Sequence, residues 1–492
     1  MSRSAIVIGA GFAGTAAATS LAAKGYDVRM LEKNAEHGGR ARTWSQGGFT
    51  FDMGPSFYWM PEVFERYFAR FGTEVSALYD LVRLDPSYEV VFGPGDSWRI
   101  PAGADQVKAL FEGEEPGAGA ALDRFLAEAR LKYELGMNEL VYRPSLSWAE
   151  YLHPGVVSGL LRTHVLSSLR RHVRSMFRSE RIRQVLEFPV LFLGAAPQNT
   201  PALYSLMNHA DITLGTWYPM GGMGSVVRAM HRVAEDHGVR TELGTEVERI
   251  LVEKGKAMGV ITASGPLHAD VVVAAADYHH VESRLLAPEQ RSYSEAYWTG
   301  RTMAPSALMF YVGLDTRVPR LEHHTLFFDE PMDAHSAEIY TDPQWPSAPL
   351  FYASCASRTD PSVAPPGGEN VVILVPIASG LEDTADRREH YYDIVMKRLS
   401  AHAGMDLRPH VIVKRSYCVN DLREDYHSYR GNAYGLANTL RQTGPLRPRI
   451  KSRKVHGLYF AGQLTVPGPG VPPALISGQV VADLIHNERA QR

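Results

Sequence analysis

Hydrophobic positions near the start of the chain follow two rhythms in quick succession. Ala5-Ile6-Val7-Ile8 is a continuous apolar run, as a strand buried on both faces requires. A glycine-rich turn follows, and then Ala16, Ala17, Ala18, Leu21 and Ala22 predict a helix ending near Gly25. Asp27-Val28-Arg29-Met30-Leu31 predicts a second strand that closes on Glu32. Together these make one compact βαβ unit.

Further along, residues 60–150 predict helices with short strands, broken at Pro101 and in the turn-rich stretch 112–119. A helix over 122–135 carries Phe125, Leu126, Ala129 and Tyr133 on one face. After a helix over 226–237, the segments 241–243, 247–253, 257–263 and 269–275 predict a meander with turns at Gly244, Gly255 and Gly265. Runs such as 307–312 and 371–375 predict an antiparallel sheet between residues 277 and 425. Near the end, 457–462 predicts a strand closing in glycine, and Gly468-Pro469-Gly470-Val471 opens a final helix. No internal repeat or low-complexity tract is present.

The first turn carries candidate chemistry. In Gly9-Ala10-Gly11-Phe12-Ala13-Gly14, the first glycine permits the tight turn and the second lets a pyrophosphate approach the backbone. The third lets helix and strand pack closely, and the helix N-terminus offers free N–H groups to phosphate. Glu32 lies 18 residues after Gly14, where a carboxylate accepts from ribose hydroxyls and repels a 2′-phosphate. Lys33 follows it. These features predict a dinucleotide site without separating NAD from FAD.

The next segment separates them. Gly38-Gly39-Arg40-Ala41-Arg42 allows a second close backbone approach to an anionic ligand, with Arg40 or Arg42 able to pair with phosphate. Phe51-Asp52-Met53-Gly54-Pro55-Ser56 follows shortly after. The three motifs together resemble the FAD-containing amine oxidase superfamily, and within it most closely the bacterial phytoene (carotenoid) desaturases. The resemblance spans nearly the whole chain. It implies an α/β fold: a Rossmann-type FAD-binding domain with an inserted α+β substrate domain and a helical, membrane-associating region. The implied partition is 1–75, 215–280 and 445–492 for FAD, 76–150 and 281–444 for substrate, and 151–214 for the basic helical region. It further implies that Gly39, Arg40, Gly54, Pro55, Val247, Gly462, Gly470 and Val471 contact the cofactor, Val247 through backbone beside the adenine. The last helix would lie against the pyrimidine side of the flavin.

Composition narrows the picture. Among 492 residues, 45% are hydrophobic and 21% charged, a balance that permits a large core and excludes a disordered chain. Net charge is −3, so no global field favours nucleic acid. Two cysteines, Cys355 and Cys418, provide no disulfide framework, and buried thiols are expected. No apolar run reaches the roughly 18 residues of a membrane span. The N-terminus shows no basic leader with a cleavage site, so a cytoplasmic protein is expected.

One stretch departs from this average. Between Gly155 and Arg183, Leu160, Leu161, Val165, Leu166, Leu169, Val173, Met176 and Phe177 are interleaved with seven arginines, offset only by Glu180. Such a basic amphipathic helix can lie on an anionic bilayer, here the inner face of the membrane. The alternative is a surface helix whose apolar face is ordinary core.

The implied chemistry is desaturation of a hydrophobic polyene, phytoene to lycopene-type products, with hydride passing to FAD and oxygen or a quinone as final acceptor. A later carotenoid 3,4-desaturase, a carotenoid oxidase or a retinol-saturase-like enzyme are alternatives on the same fold. An amine oxidase or a Rab-escort-like lipid carrier are alternatives of other kinds. No acid–base constellation stands out. Segment 125–130 resembles a family segment in which Asp can occupy the position of Ala127, so a carboxylate role is in doubt there. Arg130 is the candidate catalytic residue, a plain surface charge being the alternative. Phe57-Tyr58-Trp59-Met60 and Trp217-Tyr218 are candidate tunnel walls, with ordinary core as the alternative. The pairs His279-His280 and His323-His324 invite a metal, but neighbours point apart and no third ligand is spaced to join them, so no metal is expected.

Overall fold

The structure is a computed structural model that describes residues 3–152 and 167–490. Its first apolar run becomes the strand Arg3–Ile8, central in a five-stranded parallel sheet. Tyr26–Leu31 and then Arg240–Glu242 lie to one side, and Val271–Ala274 and then Leu458–Phe460 to the other. The helix Phe12–Ala22 packs along the last helix, Val471–Ala490. Small residues make that contact close: a Cβ on Gly478 would sit 2.2 Å from the Ala13 carbonyl oxygen.

The meander expected over 241–275 divides between two sheets. Val247–Glu253, Lys256–Thr262 and Gly265–His268 form a three-stranded antiparallel sheet. Arg240–Glu242 and Val271–Ala274 instead join the parallel sheet. The sequence of the latter, Val-Val-Val-Ala, is fully buried, as a strand covered on both faces requires.

The second large sheet has seven strands, drawn from 88–100 and from 306–417. All its neighbours are antiparallel except Tyr88–Gly93 beside His324–Phe327. The strand Ser306–Leu314, next to the edge strand Val411–Tyr417, is buried throughout, yet its two faces serve different ends. Leu308, Phe310 and Val312 pack with Tyr392, Val395 and Leu399 of the helix Ala385–Ala403. Ala307, Met309 and Tyr311 face the other way, into the core shared with the parallel sheet.

The single basic amphipathic helix expected over 155–183 is not what forms. Residues 155–166 lie outside the described residues; the remainder makes two short helices, Leu169–Met176 and Glu180–Glu187. Leu169, Val173 and Phe177 are core residues, not a stripe left for a bilayer. Nor is Glu180 the only offset to the charge. Arg170 pairs with Glu187 and Asp333, Arg174 with Glu180 and Glu187, Arg178 with Glu115, and Arg181 with Asp96 and Glu114. Glu187 is 2% exposed, so its two arginines neutralise a buried charge. Reversing both, Arg170→Glu with Arg174→Glu, is expected to destabilise the fold by about 3 kcal/mol or more, because a buried ion loses its partners. A thermal melt of the double variant checks this. Among the described residues, no helix is long and apolar enough to cross a membrane.

Candidate active site

A cavity of about 290 Å³ opens at the carboxyl ends of the parallel strands, where open α/β sheets place their ligands. Gly9 takes a φ of +99°, which lets the chain turn sharply off the first strand into the helix. A Cβ on Gly14 would stand 1.9 Å from the Gly9 carbonyl oxygen, so only glycine permits this turn. Gly38 N–H donates to the Ala10 carbonyl at 2.8 Å, tying the second glycine turn to the first. Both turns therefore present backbone to one space.

Glu32 lies at the end of the second strand, 5% exposed. Its Oε2 accepts from Ala10 N–H at 2.9 Å, and its Oε1 accepts from Asn34 N–H at 2.9 Å and from the Asn34 amide at 3.0 Å. A carboxylate has about four lone-pair sites, so hydroxyls of a ribose still find acceptors here.

The two candidate phosphate partners separate. Arg42 pairs with Asp425 and does not line the cavity. Arg40 lines it, donates to Ser428 Oγ at 3.1 Å and keeps a buried Nε without a partner. Burial pulls its guanidinium below the ordinary arginine range, against the nearby charge of Asp277. Asp277 is itself pushed up by burial, and it accepts from the N–H groups of His280 and Tyr429 at 3.1 Å.

These features fit a dinucleotide. The buried helix Phe12–Ala22 has glycine at its N-cap and no capping side chain, so its first-turn donors need an acceptor from outside the chain. The unpartnered Arg40 Nε is a second such donor. At the far end of the cavity, Val471 opens the last helix. Pro472 and Pro473 lack N–H groups, and Ala474 N–H bonds back to the Gly470 carbonyl. Val471 N–H is therefore the sole free donor among residues 471–474, fewer than a helix start ordinarily offers.

Of the residues singled out from sequence, Gly9, Gly11, Phe12, Ala13, Glu32, Lys33, Gly39, Arg40, Gly54, Pro55, Val247, Gly462, Gly470 and Val471 line this cavity. Ala10 and Gly14 shape the turn behind it. Arg130 is elsewhere. It lies on the outer face of the helix Ala118–Leu135, two-thirds exposed, and pairs with Glu134 one turn on. A guanidinium held by an i,i+4 surface pair has no reach into the cavity, so the surface-charge alternative describes it.

Of the candidate tunnel-wall aromatics, Tyr58 and Trp59 are buried in the core, as the alternative reading has it. Tyr58 bonds Tyr79 through the two hydroxyls, and Trp59 donates to Thr216. Phe57 stacks on His324 at 4.1 Å. None of these lines the cofactor cavity. A second cavity of about 70 Å³ lies beyond it, walled by Phe188, Phe328, Phe351, Leu326 and Met332 among others. The two cavities share Leu374 and Tyr434.

Sequence reasoning missed Asp277, Tyr417, Tyr426, His427 and Tyr434 in the cofactor cavity, and weighed His280 only as a metal ligand. His280 and His427 stack with ring centres 4.0 Å apart. Asp277 alone carried a signal, since it follows directly on a buried apolar strand. No group of three or more His, Cys, Asp or Glu placed to hold a metal occurs among the described residues.

Comparison with known proteins agrees with this geometry. Residues 12–486 match the family described as flavin containing amine oxidoreductase. The chain is 41% identical over 480 residues to the carotenoid 3,4-desaturase of Haloarcula japonica, covering 97% of each. It is 32% identical over 486 residues to the zeta-carotene-forming phytoene desaturase of Myxococcus xanthus, covering 98% of this chain and 93% of that one. A crystal structure of an oxidoreductase from Methanosarcina mazei shares the fold, with a TM-score of 0.66 at 17% identity, over 98% of this chain and 100% of that one. A dinucleotide cradle in a flavin family calls for FAD, and the uncapped first turn, Glu32 and Arg40 are donors and acceptors in the cavity that fit it. The chain thus belongs to the flavin containing amine oxidoreductase family and is an FAD-dependent oxidoreductase.

Proposed function

We propose that this protein is a carotenoid desaturase whose step is 3,4-desaturation of a carotenoid. The observation that carries the reading is the apolar second cavity, which meets the cofactor cavity at Leu374 and Tyr434. A hydrocarbon chain entering it would reach the cofactor through a wall that offers almost no polar groups. The 41% identity to a 3,4-desaturase along nearly the whole of both chains favours that step over the phytoene step of the 32% identical relative. A phytoene desaturase is the second reading, favoured by that relative.

Bound FAD supplies a hydride acceptor. The chain's own residues do the rest. Phe188, Phe328 and Phe351 present aromatic surface to the cavity, which tolerates the positive charge left on a polyene as hydride departs. The same walls exclude water from that cation. Val471 N–H and the start of the last helix offer partial positive charge at the far end of the cofactor cavity.

The test is a visible spectrum of FAD-loaded protein with liposomes carrying either phytoene or a conjugated acyclic carotenoid saturated at the 3,4 bond. A shift to longer wavelength with the conjugated substrate alone is the expected result. New bands from phytoene would favour the second reading. No change with either substrate, flavin being bound, would overturn both.

A further inference from the structure

Arg447 is a buried cation, 2% exposed, whose bonding partners are all neutral. Its Nη1 donates to the Gln463 carbonyl at 3.3 Å, and its Nη2 donates to the Leu436 carbonyl at 3.1 Å and to Asn438 Oδ1. Its Nε is left without a partner. Among the described residues no carboxylate pairs with it. The ionisable groups acting on it are Tyr204 and Tyr297. Burial pushes both phenols up, Tyr297 to about 12, so neither is charged at neutral pH. Burial pulls the guanidinium itself down to about 10, which still leaves it a cation.

An unpaired buried ion is strongly unfavourable, so a negative charge from outside the chain is expected to offset it. The position of Arg447 says where that charge arrives. Gln463, whose carbonyl it holds, lines the cofactor cavity, and so do Gly462 and Gly470. The guanidinium also packs against Gly468, where an added Cβ would lie 3.3 Å from Cζ. The cation therefore stands one layer of chain behind the wall formed by residues 462–471.

Strand order decides which part of the cofactor meets that wall. Glu32 follows the strand Tyr26–Leu31, on one side of Arg3–Ile8 and its glycine turn. Leu458–Phe460, which runs into Gly462, lies two strands away on the other side, about 10 Å at the usual strand spacing. A dinucleotide with its adenosine ribose at Glu32 and its pyrophosphate at the glycine turn extends its flavin half toward residues 462–471. We infer that Arg447 supplies the positive charge that stabilises the reduced cofactor. It makes up for the N–H groups that Pro472 and Pro473 deny to the start of the last helix.

A hydride carries two electrons and one proton, so its transfer leaves one extra negative charge on the ring that accepts it. A cation behind the wall lowers the energy of that charged form and leaves the neutral oxidised form nearly untouched. Arg447 touches neither substrate nor cofactor. It acts through an interior of low dielectric, where its field is strong and salt screens it little. The effect needs no carotenoid, so the inference rests on FAD binding and not on the desaturase reading.

The experiment compares FAD-loaded full chains of wild type, Arg447→Met and Asn438→Asp. It reads the midpoint potential of the bound flavin against a reference dye, without oxygen. Arg447→Met removes the charge together with its hydrogen bonds. Asn438→Asp leaves the guanidinium in place and puts a carboxylate at the oxygen that already accepts from it, so the charge is offset while the shape is kept. Each variant is expected to hold reduced flavin about ten-fold more weakly relative to oxidised flavin, a fall in potential of about 30 mV. Affinity for oxidised FAD should stay near that of wild type. A thermal melt should drop in Arg447→Met, which loses three bonded acceptors. An unchanged potential in Asn438→Asp would overturn the inference and leave Arg447 a clamp between loops, whether or not Arg447→Met folds. Equal weakening of oxidised and reduced FAD in Asn438→Asp would overturn it as well.

Discussion

Gly14→Ala is expected to cost the protein its FAD and about 3 kcal/mol of stability, at the upper end of overpacking penalties. The added Cβ would lie 1.9 Å from the Gly9 carbonyl oxygen and 3.2 Å from the Ala275 side chain. The first obstacle is backbone, so neither rotamer change nor local repacking relieves it. The helix Phe12–Ala22 must move off the first strand, and its first-turn donors move with it. Gly113→Ala is the matched control. That glycine sits in the helix Ala104–Glu114, where an added methyl group would meet nothing within 4 Å. The same chemical change there should stabilise the chain by about 0.5–1 kcal/mol through helix propensity. Thermal melts and flavin absorbance per chain separate the two. Full flavin content in Gly14→Ala would show that the helix start does not bind the cofactor.

Glu32→Ala is expected to have the next largest effect. Its carboxylate satisfies the N–H groups of Ala10 and Asn34 at a site that is almost fully buried. Removing it strands both donors, at about 1–3 kcal/mol each. It also removes the acceptor for the ribose hydroxyls, so flavin content should fall below that of any surface variant. Glu32→Gln retains one acceptor oxygen but turns an amide N–H₂ toward a backbone N–H. It should lie between wild type and alanine in both melting temperature and flavin content. Alanine and wild type binding FAD equally would remove Glu32 from the ribose site and leave it a purely structural carboxylate.

The cofactor cradle was legible because its parts are close in sequence. A strand, a glycine turn, a helix and an acidic strand end fall within residues 3–32, and each is fixed by local sterics or by a free helix end. Arg40 and Arg42 could not be told apart in the same way. Their difference depends on Asp425, which folds back from nearly the far end of the chain to pair with Arg42 alone. Asp277, Tyr417 and Tyr426 reach the cavity for the same reason, from helix and strand ends distant in sequence. Arg130 failed through the opposite fault. A local resemblance suggested chemistry, but the helix turns that side chain to solvent.

The basic stretch makes the contrast sharpest. Counted along the sequence, its arginines face a single acid. In the fold, Asp96, Glu114, Glu115 and Asp333 arrive from other segments and, with Glu187 just past the stretch, pair with four of them. Charge balance at a surface is a tertiary property, because Coulomb pairing depends on distance in space and not along the chain.

By itself, the sequence determined the glycine turn, the acid at the end of the second strand and the strand–helix alternation around them. These follow from backbone sterics and side-chain period within a few tens of residues. Only the tertiary structure decided which arginine lines the larger cavity, where the apolar cavity lies, and that Ser56, Tyr352 and His324 form one hydrogen-bonded chain. Those three residues come from separate segments, and no local rule relates them. The seven-stranded sheet sets Tyr352 beside His324 across two neighbouring strands and folds Ser56 against them.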